Sequence, residues 1–184
     1  MRFHFSDSPL TYDGTQLRSH FIYRQWDILG PACVAFVGPC RVSLDHMVDL
    51  EDVKQRAPIS SDKMLHLLWE DFEVNLAAGV LWQRLAVAIL HETLRDRGVA
   101  GGYRRGNDLY WEEKKLNVSV ATRSPVSTLV HVGINATTAG TPVPTIALAE
   151  WNLDPVDFGK EFLARLEGEY LGFQKALWKV RAVD

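Results

Sequence analysis

Residues 106–135 read GNDLYWEEKKLNVSVATRSPVSTLVHVGIN, and this stretch decides the fold class. Leu116, Val118 and Val120 alternate with Asn117, Ser119 and Ala121. That two-residue period is the signature of a half-buried strand, because successive side chains of a strand point to opposite faces. Val130, Val132 and Ile134 alternate in the same way with His131, Gly133 and Asn135. Asn107 to Trp111 reads as a further strand, joined to Leu116 through the charged turn Glu112-Glu113-Lys114-Lys115. The expectation is an antiparallel meander with one apolar face on helices. The other face would carry Lys115, Asn117, Ser119, His131 and Asn135, if the register pairs these polar groups on one surface. Such a face suits plain solvent or a ligand cleft.

Working outward, helices flank the meander. Asp154 caps a helix from about Pro155 to Leu177, with proline at the first helical position, where its missing N–H costs nothing. Leu81 to Arg97 carries an apolar stripe and ends in Arg95, Arg97 and Gly98, a sound helix stop. Met64, Leu65, Leu68 and Phe72 have helical spacing, which predicts a helix from Ser60 or Ser61 to about Ala77. Ala32 to Val37, an apolar run between Gly30-Pro31 and Gly38-Pro39, reads as a short buried strand. Ser8 to Tyr12, closed by Asp13-Gly14, reads as the sheet's opening. Thr15 to Ile28 suits a helix capped by Thr15, although His20 to Tyr23 also suits a strand. The fold class expected is α+β: a mainly antiparallel sheet with helices packed on one face, in a single domain over residues 1–184.

Composition bounds the function. At 184 residues with 47% hydrophobic and 23% charged side chains, the chain has the make-up of a soluble globular domain. A net charge of -3 with mixed signs gives no support for a nucleic-acid or membrane partner. No apolar run reaches the roughly 18 residues a membrane span needs. The expected location is the cytoplasm, with Cys33 and Cys40 as free thiols.

Several blocks resemble domain-of-unknown-function family 366: YDGTQL at 12–17, VAFVGPC at 34–40, MVDLED at 47–52, MLHLLWEDF at 64–72, QRLAVAI at 83–89, residues 105–135, GTPVPTIAL at 140–148 and the terminal KVR. Within them, Gly106-Asn107-Asp108-Leu109-Tyr110, Lys114-Lys115-Leu116 and Val132-Gly133-Ile134-Asn135 look like the core of biotin and lipoate protein ligases. Those enzymes carry an Asn-Asp strand, a lysine at the next hairpin and a later glycine–apolar–asparagine strand. The resemblance implies a biotin/lipoate protein ligase-like fold, akin to class II aminoacyl-tRNA synthetases. It also implies a small carboxylic acid or adenylate as ligand, ATP and Mg²⁺ as cofactors, and an acceptor protein; a homo-oligomer is compatible with it.

The resemblance further implies Lys115 as the cation that stabilises charge in the reaction. Asn107 and Asp108 would orient ligand or metal, and Arg41 or Arg105 would contact phosphate. Asn135 would donate to a carbonyl, with Gly38, Asn117, Ser119 and His131 completing the ligand surface. Three departures stand against it. Gly38-Pro39-Cys40-Arg41 occupies the place of the ligases' Gly/Arg-rich loop, Arg104-Arg105-Gly106 precedes the Asn-Asp pair, and Val118 replaces a glycine.

Each residue also has an ordinary role. Lys115 fits a solvated turn, Asn107-Asp108 fits turn chemistry, and His131 fits a structural histidine. The acidic stretch Asp45 to Asp52 matches no metal-ligand spacing and reads as a solvated loop. Cys40 beside Arg41 has an activating neighbour but no histidine partner in the sequence, and the Ser124 to Ser127 loop reads as a turn or a ligand cradle. The open functions are a nucleotide-dependent carboxylate-activating enzyme, acyl transfer without ATP, and a noncatalytic ligand-binding or assembly protein.

Overall fold

The computed structural model describes residues 1–183. Five strands form the main sheet: β1 (Arg2–Ser6), β2 (Ala32–Val42), β3 (Ile59–Asp71), β7 (Asn117–Arg123) and β8 (Thr128–Asn135), in the order β1-β2-β3-β8-β7. All neighbours are antiparallel except β1 and β2. A second sheet of three short strands, β4 (Tyr103–Arg105), β5 (Asp108–Trp111) and β6 (Lys114–Lys115), sits beside β7. The expected class, α+β and mainly antiparallel, is what forms, with one refinement: the meander divides, and only β7 and β8 enter the main sheet.

Two long helices, α3 (Leu76–Asp96) and α4 (Pro155–Trp178), pack on one face, α3 against β7 and β8 and α4 against β1 to β3. Asp154 caps α4 as the sequence indicates, its carboxylate accepting from the N–H groups of Val156 and Asp157. Phe158, Phe162 and Leu166, spaced four apart, bury the same side of α4. Two short helices, α1 (Phe21–Trp26) and α2 (Leu50–Gln55), belong to the opposite side of the chain's fold, where Phe21 and Ile22 join Val34, Phe36 and Leu68 in a second apolar cluster.

Four local readings are corrected. Residues 60–71 are strand, not helix: β3 lies between β2 and β8, and Met64 to Asp71 are buried on both faces. A central strand covered on both sides shows no alternation, so Met64, Leu65 and Leu68 matched helical spacing by coincidence. α3 starts at Leu76 rather than Leu81, because the Asn75 side chain accepts from Ala78 N–H and caps it there. The first strand is Arg2–Ser6, while of Ser8 to Tyr12 only Tyr12 bridges the sheet, at Cys40. Thr15 caps no helix: its N–H and hydroxyl bond to Asp13, and α1 begins at Phe21.

Candidate active site

β6 is two residues long, and its position is held from three sides. Lys115 pairs with Tyr110 of β5, bridges Thr145, and its carbonyl accepts from Ile146 N–H at 3.2 Å and Asn135 Nδ2 at 3.3 Å. The Lys115 ammonium lies 2.9 Å from Asp108 Oδ2, with 32% and 18% of the two side chains exposed. Asp108 Oδ1 is buried without a hydrogen-bond partner. Lys114, its neighbour, is exposed.

Lys115 stands where two cavities meet. The larger, about 250 Å³, is polar and holds Tyr12, Cys40, His46, Asp52, Asn107, Asp108 and His131 among its walls. The smaller, about 190 Å³, is mainly apolar, with Ile59, Met64, Val118, Pro142 and Val143. Asp52, Ile59, Lys115 and Val118 line both. The acidic stretch that read as a solvated loop forms a turn at Leu44–His46 and then α2, and Asp49, Glu51 and Asp52 face the larger cavity. Burial pushes the Asp52 carboxyl up, reinforced by Asp49, Asp108 and Glu51 and opposed by Lys115.

The register sorts the candidate residues by face. Val120 pairs with His131 and Val118 with Gly133, whereas Asn117 pairs with Ile134 and Ser119 with Val132. Directly paired residues share a face, so Asn117 and Ser119 lie on the helix side, opposite His131. The side chains of the five polar groups expected on one surface are therefore divided, although Ser119 borders the larger cavity and Asn117 and Asn135 the smaller. Asn117 and Ser119 act as internal fasteners: Asn117 Oδ1 accepts from Leu109 N–H at 2.8 Å, its Nδ2 donates to the Asn107 carbonyl, and Ser119 Oγ accepts from Gln83 and Asn107. These bonds seat the Asn107-Asp108 corner against β7. Asn135 is buried, and its Nδ2 is directed at the Lys115 and Ile146 carbonyls.

Arg41 and Arg105 line neither cavity. Arg41 alternates with Cys40 and Val42, which do face the cavity, and its guanidinium bonds to Asp62 and the Ser61 carbonyl. Arg105 lies over the rings of Tyr103 and Tyr110 on the small sheet. Gly38 is also outside the cavities. A side chain there would place its Cβ 2.0 Å from the Leu10 carbonyl oxygen, and the strand register shifts between Gly38 and Cys40.

At the larger cavity, His131 meets two groups the sequence did not single out, Tyr12 in the wall and His66 beneath it. Tyr12 stacks on His131, ring centres 3.7 Å apart and planes 8° from parallel. His131 Nε2 lies 3.1 Å from His66 Nδ1, and His66 Nε2 lies 3.2 Å from the Gly38 carbonyl. Both imidazoles are buried. Burial pushes His66 down to about 4, against the pull of the Gly38 and Pro39 carbonyls, and pushes His131 well below the usual histidine range, helped by His66. Burial also raises the Tyr12 hydroxyl and takes the Cys40 thiol up to about 11, which makes Cys40 a poor thiolate. Reading 60–77 as a helix hid His66, and Tyr12 was hidden in a turn motif. Gln16 builds that turn, accepting from the N–H groups of Asp13 and Gly14 and donating to the Thr11 carbonyl.

Among the described residues, no three His, Cys, Asp or Glu side chains are arranged to hold a metal ion. For a nucleoside triphosphate the larger cavity offers one fixed cation: Lys115 is the only lysine or arginine in its lining, facing Asp49, Glu51, Asp52 and Asp108. No helix among the described residues is long and apolar enough to cross a membrane.

Comparison with known proteins agrees with this geometry at the level of fold. A protein of unknown function from Pyrococcus horikoshi superimposes with a TM-score of 0.93 at 37% identity, covering 100% of this chain and 99% of that one. A biotin protein ligase from Aquifex aeolicus, in complex with biotin and ATP, gives 0.61 at 15% identity over 95% of this chain and 72% of the ligase. A proposed lipoate protein ligase from T. acidophilum, with bound lipoic acid, gives 0.57 at 14% identity over 94% and 87%. The fold is thus biotin/lipoate protein ligase-like. In sequence, an uncharacterized protein of Methanocaldococcus jannaschii is 32% identical over 159 residues, 83% of this chain and 72% of that protein. The profile described as "Domain of unknown function (DUF366)" matches residues 1–181, and the chain belongs to that family.

Proposed function

We propose that the protein binds a small carboxylic acid across the two cavities and acts on it as an acyl-transferring or carboxylate-activating enzyme. One observation carries this reading: Lys115, the lysine that the ligase resemblance singles out, stands at the junction of an apolar and a polar cavity. An aliphatic tail suits the walls of Ile59, Met64, Pro142 and Val143, which offer apolar contact and few polar groups. A carboxylate at the junction meets the Lys115 ammonium. Asp108 occupies one of its three N–H donors and leaves the others for ligand. Fixed positive charge beside a reacting carboxyl group stabilises the negative charge that grows in acyl transfer.

A noncatalytic ligand-binding protein is the competing reading, and it also rests on a specific observation. Arg41 and Arg105 are turned away, so phosphates would find a single fixed cation against four carboxylates. Calorimetric titration with octanoic acid, lipoic acid and biotin, each with and without ATP and Mg²⁺, separates the cases. Binding of at least one acid, abolished in Lys115→Ala and kept in Lys114→Ala, supports the assignment. Pyrophosphate release would add nucleotide-dependent activation. Binding that ignores Lys115, or no binding of any acid, would overturn the proposal.

A further inference from the structure

The hydrogen-bond chain under the larger cavity fixes which nitrogen of His131 is free. A carbonyl oxygen only accepts, so the contact between the Gly38 carbonyl and His66 Nε2 requires the proton on Nε2. A neutral imidazole has one N–H, so His66 Nδ1 is an acceptor. His131 Nε2, 3.1 Å away, must then donate to it. His131 Nδ1 is left with a bare lone pair, since the one hydrogen bond its ring makes among the described residues is through Nε2. The opposite arrangement would set the His66 Nε2 lone pair against the Gly38 carbonyl, acceptor facing acceptor.

A half-turn of the His131 ring would keep its stacking on Tyr12 but put a carbon where Nε2 meets His66 Nδ1, so that contact fixes the orientation. Tyr12 lies flat on His131, and Tyr12 is itself clamped to β2, donating its N–H to Pro39 and accepting from Arg41 N–H at 2.8 Å. The Gly38 carbonyl is held at the register shift, under a Leu10 carbonyl that leaves no room for a side chain. His131 lines the cavity alongside Tyr12, Val118 and Val120.

We infer that His131 is a specificity-determining residue, whose Nδ1 accepts a hydrogen bond from an N–H or O–H group on the head of the ligand, with His66 as the residue that positions its tautomer. This deepens the ligand-site reading above and adds a chemical requirement: the ligand carries a donor on its polar end. The base-strength argument points the same way. Imidazoles pushed this far down by burial are weak proton acceptors at neutral pH, so His131 recognises a donor and does not remove its proton.

The test uses wild-type protein labelled with heavy nitrogen in histidine, whose long-range proton–nitrogen spectra report which ring nitrogen is protonated. Both His66 and His131 are expected as the Nε2–H form at neutral pH. Two ring probes without a carboxylate follow: the lactam pyrrolidinone, which has an N–H, and cyclopentanone, which has none. The lactam should shift the His131 Nδ1 resonance and bind roughly tenfold more tightly, the worth of one hydrogen bond in a shielded site. In His66→Phe, with no acceptor beside it, His131 should populate the Nδ1–H form and lose the preference. A proton on Nδ1 in the wild type, equal binding of the two probes, or no Nδ1 response to the lactam would overturn the inference. Since neither probe meets Lys115 through a carboxylate, this result stands apart from failure of the acid titrations.

Discussion

The two faces of the main sheet use the same strands for different ends. On the helix side, β3 and β8 send Leu65, Leu67, Val130, Val132 and Ile134 into a core completed by Leu90, Leu94, Phe158, Phe162 and Leu166. On the other side they send Met64, His66, Leu68 and His131 toward Tyr12, Phe36 and Cys40. The first face is apolar packing and gains from every buried methylene. The second buries two imidazoles and a phenol, groups that cost stability unless their bonds are met. Both sides of the sheet bury apolar side chains, but only the second also holds two imidazoles and a phenol in one fixed arrangement beside a cavity.

The comparison is broken most sharply from the helix side. Phe162→Ala, at a fully buried position, should cost about 3–5 kcal/mol in chemical denaturation. On the cavity side the largest effect should be on ligand. Lys115→Ala should lower acid binding or turnover by on the order of 10²-fold, while its stability cost stays near 1 kcal/mol because a partly exposed ion pair with Asp108 is lost. A stability loss from Lys115→Ala as large as that from Phe162→Ala would blur the contrast between the faces.

Asn117→Ala tests the seam between the faces. It leaves the Leu109 N–H without its partner, at an expected cost of about 1–3 kcal/mol by the same measurement. A graded effect should appear with pH. His66 is held down to about 4 in the folded protein, against about 6.5 in an unfolded chain. Below 6.5 the unfolded state takes up the proton first, so stability should fall as pH drops from 6.5 towards 4 and level off for this group below that. Denaturation midpoints in His66→Phe, His131→Phe double-variant protein should show a flatter profile over that window; an unchanged slope would remove the histidines as its source. Lys114→Ala, on the exposed strand neighbour, should change stability by less than about 0.5 kcal/mol and leave acid binding unchanged.

Local chemistry was readable at some residues that act on their own segment. Asp154 and Pro155 announce the start of α4, and the alternation in residues 116–121 and 130–135 announces β7 and β8. It was unreadable in β3, where burial on both faces erased the alternation, and at Asn75, whose cap lies ahead of an apolar stripe that begins later. For the candidate site, the order Asn107, Asp108 and Lys115 suggested neighbours, and the structure joins Asp108 to Lys115. Face membership was a different matter. Asn117 and Ser119 border the cavities, yet their side chains lie across the sheet from His131.

The sequence by itself determined the strand and helix makers of the second half, the α+β class, and the family, because these rest on period, caps and residue order along the chain. Only the tertiary structure decided which face each polar side chain takes, since that depends on register between β7 and β8, and a one-residue slip exchanges the two faces. It also decided that Arg41 and Arg105 turn away from the cavity, and that Tyr12, Gly38, His66 and His131 meet. Those four come from residues 12, 38, 66 and 131, and no local pattern links them. Their meeting follows from three separate strand pairings, each fixed by the packing of the whole sheet.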